Sequence, residues 1–446
     1  MSPATSRAMS AFQHRNYRLF FTGQGISLIG TWMQTVAQSW LVLQLTSDPL
    51  WLGVVAAAQF IPVLIFGLFA GVYADSLPKR KTLIATQAVK MGLSTILAIL
   101  AFSGTATIPL LILLALAIGT VNAVDMPVRQ AFSVEMVGRE DIGNAVALNS
   151  AMFNGARVIG PAVAGITIGL VGVPWAFTID ALSFLAVIVA LLLMRDSELL
   201  SPARIARPES VSDVMVQLRE GLSYVRRTPI VLMSLLVIGL VSTFGMNFSV
   251  VIPPLADGVL HSGATGYGFL MAASGLGSLL AALSLAFRGA PRPALIGIGA
   301  MILGVGEIAL GWSTTFALSL VLMFAVGFGA ILMAATVNTT VQLAVPDGLR
   351  GRVMSVYTTI FAGSTPIGAP IMGGIASLFG VAISLAVGGV LCLGIGGGAL
   401  AWMRRNGADR IPRQSVVGDG VPAPARSTAT GSAATAAGFA DPVRPR

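Results

Sequence analysis

The sequence has few charged side chains. Only 10% of its 446 residues are Asp, Glu, Lys or Arg, whereas 55% are hydrophobic and the mean hydropathy is +0.85. A water-soluble domain of ordinary composition carries about 25% charged residues. The shortage therefore excludes such a domain and indicates a chain whose surroundings are mostly lipid.

Positive charge is absent from every second joint between the hydrophobic runs. There are twelve runs, each close to the length that crosses a bilayer as a helix, and six joints without Lys or Arg. Those joints lie near Asp48, Ser103, Gly172, Asp257, Ser313 and Phe379. The alternate joints hold Lys79, Arg80, Lys81, Arg139, the basic residues of 195–227, Arg288, Arg292, Arg350 and Arg352. Because positive charge stays on the cytoplasmic side, we predict twelve crossings with both termini in the cytoplasm.

Only helices and closed barrels leave no unpaired backbone group in lipid, and runs of this length are typical of helices. We predict an all-α membrane protein whose twelve transmembrane helices form two pseudo-symmetric six-helix bundles. The predicted spans are 17–45, 50–74, 82–103, 108–130, 143–170, 174–194, 229–255, 264–287, 293–312, 315–342, 353–378 and 381–403. The predicted regions are a cytoplasmic tail 1–16, a first bundle 17–194, a central loop 195–228, a second bundle 229–403 and a disordered tail 404–446. The outer joints are too short for an external domain.

The long central loop contains a second kind of pattern. Its apolar residues recur at helical spacing, and they are Val211, Val214, Met215, Leu218, Leu222 and Val225. This spacing predicts an amphipathic helix along the inner membrane surface or the bundle floor. It serves either as a tether between the two halves or as a regulatory binding site.

Side chains for catalysis and metal binding are scarce. The chain has one cysteine, Cys392, and two histidines, His14 in the first tail and His261 in an outer loop. No nucleophile with a base, no set of metal ligands and no phosphate-binding loop can be assembled from them. We therefore predict no enzyme, no primary pump, no metal and no cofactor. The net charge of +9 follows the inner loops without interleaved aromatics, so we predict no nucleic-acid partner.

The two halves contain matching elements. The fifth predicted helix reads Gly160-Pro161-Ala-Val-Ala164-Gly165, and the eleventh reads Ala369-Pro370-Ile-Met-Gly373-Gly374. Six plus six helices with corresponding elements are typical of transporters that bind substrate between their halves and alternate access to it. Pro161 and Pro370 each remove one backbone hydrogen bond and permit bends at matching places.

Two motifs resemble those of the major facilitator superfamily. The segment Gly71-Val-Tyr-Ala-Asp75-Ser-Leu-Pro-Lys79-Arg80-Lys81 resembles its first inner-loop motif, with Ser76 and Pro78 in place of the usual Arg and Gly. The segment Gly160-Pro161 to Gly165 is similar to its antiporter motif. The resemblance implies a role in gating for Gly71, Asp75, Lys79, Arg80, Gly160, Pro161, Gly165 and Pro370.

A third pattern narrows the resemblance to one branch. It consists of Asp125-Met-Pro127-Val-Arg129-Gln130-Ala131, Asn144 to Ser150, Asn154-Gly-Ala-Arg157, Trp32-Met33-Gln34 and Trp40-Leu41. These segments resemble the exporter branch that includes the enterobactin exporter and macrolide efflux proteins. The resemblance covers about residues 12–403 and implies secondary active export driven by the proton gradient.

Two sets of polar residues are candidates for lining a substrate cavity. In the first helix, five polar residues share one face, namely Gln24, Ser27, Thr31, Gln34 and Gln38. Such a stripe faces either a wet cavity or a partner helix. In the fifth helix, Arg157 lies near mid-depth, where a charge costs roughly 2.5–3.5 kcal/mol, and Ser150 and Asn154 precede it on the same face. This trio either binds an anionic or hydroxyl-rich substrate or, through Arg157, locks two helices together.

Four more charges lie inside predicted helices. Asp125 and Arg129 are four residues apart, so they pair with each other or with Asp75, as a gate or as a permanent ion pair. Asp180 and Glu307 are candidates for proton coupling, although they lie on helices that mostly stand outside the cavity in this superfamily. Lys90 is expected to snorkel to the interface.

The combined prediction is a secondary active transporter in the cytoplasmic membrane of a bacterium. It exports a small amphipathic molecule, a drug or a siderophore, by alternating access and proton antiport. The alternatives are an importer of a small metabolite and a membrane sensor that does not transport. The predicted partners are the substrate, protons and the bilayer, and the expected state is a monomer.

Overall fold

The computed structural model describes residues 9–74, 77–200, 211–287 and 292–407, and these residues contain helices and no strand. In the first half the helices are α1 (Arg15–Thr46), α2 (Pro49–Ala74), α3 (Lys79–Ser103), α4 (Ile108–Gly138), α5 (Glu140–Val171) and α6 (Val173–Leu192). A separate helix, α7 (Val211–Arg227), follows. In the second half they are α8 (Pro229–Val259), α9 (Gly263–Phe287), α10 (Ala294–Gly311), α11 (Phe316–Ala344), α12 (Asp347–Phe379) and α13 (Val381–Arg405). Each of the twelve predicted spans falls on one of these helices, with ends that differ by a few residues.

Ten of the helices in the described part of the chain are long and apolar enough to cross a membrane. The two other long helices are α1, with 32 residues, and α12, with 33 residues. At 1.5 Å per residue each is longer than the hydrocarbon core is thick. Polar side chains interrupt the apolar runs of both helices, which is why composition alone does not mark them as spans.

The joint between α4 and α5 is much shorter than expected. The predicted loop of residues 131–142 is helical apart from a break at Gly138, whose φ of 74° is in the left-handed region that favours glycine. The longer helix buries Phe132, Met136 and Val137 against the start of α1 and the end of α6. This apolar packing explains why the helix continues past the predicted end.

The central segment is divided between the two halves. Asn16 and Arg195 exchange hydrogen bonds of 2.9 and 3.1 Å, which hold the first part against α1. Helix α7 instead packs on the second half, where Gly221 lies against the backbone of Arg352 and Tyr224 donates a hydrogen bond to the carbonyl of Ala344 at 3.1 Å.

Of the predicted tail 404–446, the structure describes the last residues of α13 and Asn406–Gly407, and the rest lies outside the described residues.

Two ends of the bundle can be distinguished by charge. We call the end that holds Lys79, Arg195 and Arg350 the basic side, and the end near Ser47, Gly172 and Gly380 the far side. Towards the far side, buried apolar residues of both halves belong to one cluster, which includes Val36, Leu111 and Phe177 of the first half and Val251 and Leu310 of the second. The first half is therefore packed against the second half mainly towards the far side.

On the basic side, the first half has a core of its own. The members of this second cluster are Ala11, Tyr17, Phe20, Leu83, Val128, Phe132, Met136, Val137, Ala145, Val187, Leu191 and Met194. None of the described residues of the second half belongs to it. The two halves are therefore joined towards the far side and have separate cores on the basic side.

Two helix pairs make most of the contact between the halves, α5 with α9 and α2 with α12. A Cβ atom added to Gly165 of α5 would lie 2.9 Å from the Cα of Gly268 in α9, closer than real Cβ atoms approach. In the other pair, a Cβ on Gly373 would lie 2.6 Å from the carbonyl oxygen of Pro49. Glycine at these positions lets the two backbones touch.

Candidate functional site

One face of α5 changes from exposed to buried along its length. Helical spacing places Val146, Ser150, Phe153, Arg157, Ala164 and Ile168 on this face. On the basic side of Arg157 it is open, with Val146 55% and Phe153 46% exposed, whereas beyond Arg157 Ala164 is fully buried and Ile168 is 7% exposed. Since the buried part contacts α9 of the second half, the exposed part of the same face lines an opening between the halves on the basic side.

The facing helix α9 shows the same change. A Cβ on Gly275 would lie 2.7 Å from the carbonyl oxygen of Arg157, so the two helices touch at this level. On the side of α9 that faces α5, Met271 and Gly275 are buried, Ala282 is partly exposed and Ala286 is exposed. The contact between the halves therefore ends at Arg157, which lies at the closed end of the opening.

The charge of Arg157 has an aromatic neighbour and no carboxylate. Its guanidinium carbon lies 5.7 Å from the ring centre of Trp32 in α1, which is within cation–π distance. Phe153, one turn earlier in α5, contacts the same Trp32 ring edge to face at 5.8 Å. Among the described residues, none forms an ion pair or hydrogen bond with the Arg157 side chain. Asn154 donates to the backbone of Ser150 at 2.8 Å, and Ser150 is exposed.

Most of the polar stripe of α1 is packed between helices in this conformation. Gln24, Ser27, Gln34 and Gln38 are buried, whereas Thr31 is exposed. The cause is a pair of glycines at helical spacing, because a Cβ on Gly23 would lie 2.7 Å from the backbone of α6 and Gly30 contacts Ser183 there. This approach turns the stripe towards the interior of the first bundle. The Oε1 atom of Gln24 and the Nε2 atom of Gln34 have no hydrogen-bond partner in the described structure.

Asp125 is the centre of a buried polar cluster in the first half. It accepts hydrogen bonds from Thr86 and Gln87 of α3, both at 2.7 Å, and from Lys90 at 3.0 Å. It also forms an ion pair with Arg129 one turn further along α4. The expectation that Lys90 snorkels to the interface is wrong, because a carboxylate 1% exposed lies within reach of its ammonium group. Pairing with a buried carboxylate replaces the water that snorkelling provides.

The residues of the inner-loop motif lie on the basic side. Lys79 forms an ion pair of 2.7 Å with Glu135 of α4, and both side chains are largely buried. Arg80 donates to the carbonyls of Leu191 and Leu192 at the end of α6, at 2.8 and 3.1 Å. The predicted gating residue Asp75 lies outside the described residues. Gly71 is part of α2.

The glycines and prolines of α5 and α12 contact three different neighbours. Gly160 packs against Trp32 and Ile29 of α1, whereas Gly165 and the carbonyl of Pro161 contact Gly268 of α9. Pro370 of α12 lies beside Gly53 of α2.

Each half buries one carboxyl group that has no ion-pair partner in the described structure. Asp180 of α6 is fully buried, accepts a hydrogen bond of 2.5 Å from Ser94 of α3, and lies beside Gly30. Its second oxygen, Oδ1, has no partner there.

Glu307 of α10 is 3% exposed and lies close to Gly245 of α8 and Gly388 of α13. Its Oε2 atom has no hydrogen-bond partner in the described structure. The two acids therefore occupy related places, because each lies where the first, third and sixth helices of its half meet.

Sequence reasoning missed several contacts of this site. Trp32 was noticed only as part of a motif, and its place over Arg157 depends on how α1 and α5 pack. Ser94 and Gln87 belong to no motif. The one available signal was the spacing of Gln87, Lys90 and Ser94, which puts three polar residues on one side of α3.

The chain matches a known family over most of its length. Residues 6–417 fit the family model described as a transmembrane secretion effector. The chain is 23% identical to the staphyloferrin A transporter of Staphylococcus aureus over 388 residues, which are 84% of this chain and 92% of that protein. It is 29% identical to the multidrug efflux pump Tap of Mycolicibacterium fortuitum, over 79% of this chain and 87% of that protein. It is 24% identical to the enterobactin exporter EntS of Shigella boydii, over 86% and 90%.

Solved structures share the fold. A bacterial homologue of the lysosomal transporter Spinster, in an inward-facing and unoccupied conformation, superposes with a TM-score of 0.69 at 13% identity. The superposition covers 89% of this chain and 98% of the other. The predicted all-α fold with two six-helix bundles and the predicted resemblance to exporters are thereby confirmed. The family and its relatives are transporters, so the prediction that the chain is not an enzyme is confirmed as well.

Proposed function

Because the chain belongs to the transmembrane secretion effector family of the major facilitator superfamily, we propose that it exports a small amphipathic molecule by proton antiport. The substrate enters from the cytoplasm and leaves on the far side as the two halves alternate access to one cavity. The protein acts as a monomer in the cytoplasmic membrane of a bacterium, with both termini in the cytoplasm. The charge of the joints supports this orientation, since the basic side is the one that the positive-inside rule assigns to the cytoplasm.

The observation that carries the proposal is the change in exposure along α5. An exporter takes up its substrate from the cytoplasm, so it must adopt a state whose cavity is open there and closed on the opposite side. The open part of the face, with Ser150 and Phe153, is on the basic side, and the closed part is packed on α9. Thr31 of α1 is the one member of the polar stripe that is exposed in this state. We assign Ser150, Asn154, Arg157 and Thr31 to the cavity, and the buried Gln24, Ser27, Gln34 and Gln38 to the packing behind it.

The gate follows from where the halves touch. The α5–α9 and α2–α12 pairs meet towards the far side through Gly165, Gly268 and Gly373, and these contacts must separate when the cavity opens there. The inner-loop residues Lys79 and Arg80 and the pair Asp125–Arg129 then hold the basic side of the first half as one rigid piece while it moves. Pro161 and Pro370 adjoin the contacts that separate, so we place the bends of the movement there.

Proton coupling is assigned to the two isolated carboxyl groups, Asp180 and Glu307. An unpaired charge is costly to bury, so a carboxyl group in such surroundings is suited to exchange a proton when its surroundings change. Neither group forms an ion pair with a described residue, whereas Asp125 has two cationic partners. The carboxyl of Asp125 is therefore less suited to the task.

The experiment measures retention of 1-naphthoate, 1-naphthamide and ethidium in bacterial cells that express the intact chain. We expect lower retention of at least one probe, and a return to the level of empty cells when an uncoupler collapses the proton gradient. Glu307→Gln and Asp180→Asn test the two acids, and Arg404→Gln at the exposed end of α13 is the control. Higher retention with the chain than without it would overturn export in favour of import. Lower retention that survives the uncoupler would remove proton coupling and leave export standing.

A further inference from the structure

Arg157 stands out among the cationic side chains inside the bundle because no described carboxylate neutralises its charge. Lys90 and Arg129 share the carboxylate of Asp125, and Lys79 pairs with Glu135. Arg157 lies near the middle of α5 and contacts no carboxylate in the described structure. A guanidinium group away from bulk water is strongly disfavoured unless an anion or ordered water satisfies it.

The helices around Arg157 cannot supply the missing anion. Neither α1 nor α9, the two helices that contact α5 at this level, contains an Asp or Glu residue. The acids of α5 itself, Glu140 and Asp141, lie at its basic end, about 24 Å away along the axis at 1.5 Å per residue. The remaining acid near α1, Asp180, is fully buried on the side of α1 that faces α6. No described acid is therefore placed to neutralise Arg157, and an anion from outside the chain can take that place.

An anion can reach this position from the basic side. The open face of α5 leads through Val146 and Ser150 to Arg157, and the contact between the halves closes just beyond it. Arg157 is partly exposed at the end of this path. A molecule that enters between the halves therefore meets the guanidinium group where it can go no further.

The surroundings also indicate what is attached to the anion. The ring of Trp32 lies against the guanidinium group, and Phe153 stands edge-on to the same ring and is 46% exposed. No described residue occupies the N–H groups of this guanidinium, so they are available to bind a carboxylate, sulfonate or phosphate with two parallel hydrogen bonds. The exposed ring edges beside it favour a flat apolar body.

We infer that Arg157 and Trp32 form the binding site for the anionic end of the transported molecule, so that the substrate is an anion carried on an aromatic or otherwise flat apolar body. This inference rests on the proposed function and names its substrate class. Ser150 and Asn154 offer hydroxyl and amide groups to the rest of the molecule. A cationic amphipath is repelled at the closed end of the cavity and is a poor substrate.

The test uses the purified full chain in lipid nanodiscs and three naphthalene probes that differ in charge: 1-naphthoate, 1-naphthamide and (1-naphthylmethyl)trimethylammonium. Binding is measured by equilibrium dialysis, which needs no proton gradient and no transport. We expect the intact chain to bind naphthoate at least tenfold tighter than naphthamide and to bind the ammonium probe weakest. We expect Arg157→Gln to abolish the difference in affinity between the three probes and Arg157→Lys to retain part of it. Arg404→Gln should leave the affinities unchanged.

One further variant keeps the result interpretable. Trp32→Leu keeps the charge and removes the aromatic ring, so we expect it to weaken the binding of naphthoate severalfold. This variant tests the site even if Arg157→Gln does not fold. Equal binding of the three probes by the intact chain, or tighter binding of the ammonium probe, overturns the inference without any variant. So does unchanged naphthoate binding in folded Arg157→Gln. If the anion order holds but export or its proton dependence is absent in cells, the proposed function fails while this site remains.

Discussion

The two halves have the same helix order but are held together by different interactions. The first half buries ion pairs between its helices, with Lys79–Glu135 and the cluster of Lys90, Arg129 and Asp125. The second half has ion pairs only at its exposed basic side among the described residues, such as Arg352–Glu220. Its helices instead approach through glycine, as where Gly304 of α10 meets Gly389 of α13.

The difference indicates a division of labour. Buried ion pairs fix one arrangement of α3 and α4, because each partner left alone would be a buried charge. Glycine contacts depend on shape alone and fix how closely α10 and α13 approach. The polar residues that we propose for binding, including Arg157, lie in the half that contains the buried ion pairs. The comparison predicts that the halves respond to different kinds of substitution.

The largest effect is expected for Asp125→Leu. The change leaves Lys90 and Arg129 buried without a counter-charge, so we expect a loss of roughly 3–5 kcal/mol in the free energy of unfolding. Thermal unfolding in detergent, followed by size-exclusion chromatography, measures the loss. Adding Lys90→Met to Asp125→Leu should restore part of the stability, because one of the two uncompensated charges is removed. If Asp125→Leu alone were as stable as the intact chain, the cluster would not be what holds α3 and α4 together.

A loss of stability of intermediate size is expected for Gly389→Ala in the second half. The added methyl group would lie 2.5 Å from the carbonyl oxygen of Gly304, so α10 and α13 must separate, at about 1–3 kcal/mol. Gly394→Ala is the matched control in the same helix, since a Cβ there meets nothing within 4 Å. Alanine favours helix over glycine by about 0.5–1 kcal/mol, so the control should be slightly more stable than the intact chain. If both variants changed the unfolding temperature in the same direction relative to the intact chain, the role of this contact would be contradicted.

The smallest effect is expected for Glu220→Gln. The ion pair of 2.5 Å between Glu220 and Arg352 joins α7 to α12, but the two side chains are 46% and 37% exposed. Exposed pairs contribute at most about 1 kcal/mol, and salt screens them. We therefore expect a loss within that limit, which disappears at high salt. A larger loss that persists at high salt would mean that the second half also depends on ion pairs.

The sequence was sufficient for the helices and for the division into halves, because lipid allows few alternatives and charge marks every second joint. It was not sufficient to predict which neighbouring helix each polar face packs against. The stripe of Gln24, Gln34 and Gln38 had two possible neighbours, and the glycines at 23 and 30 decide between them by bringing α6 close. Lys90 had water or Asp125 as possible partners, and the choice depends on how α3 and α4 are placed side by side. Arg157 could be singled out in advance because a charge at mid-depth is rare in any packing.

The contact between Gly165 and Gly268 has a consequence for the rate of switching. At this point two backbones touch through glycine, and the hydroxyl of Thr265 in α9 donates a hydrogen bond of 3.1 Å to the carbonyl of Gly165. Surfaces of this kind separate and rejoin without any rotamer change, unlike interlocked aliphatic side chains, which must disengage one by one. We therefore expect the frequency of opening to be governed by what fills the gap, the acyl chains of neighbouring lipids and the cargo, and to vary with bilayer fluidity.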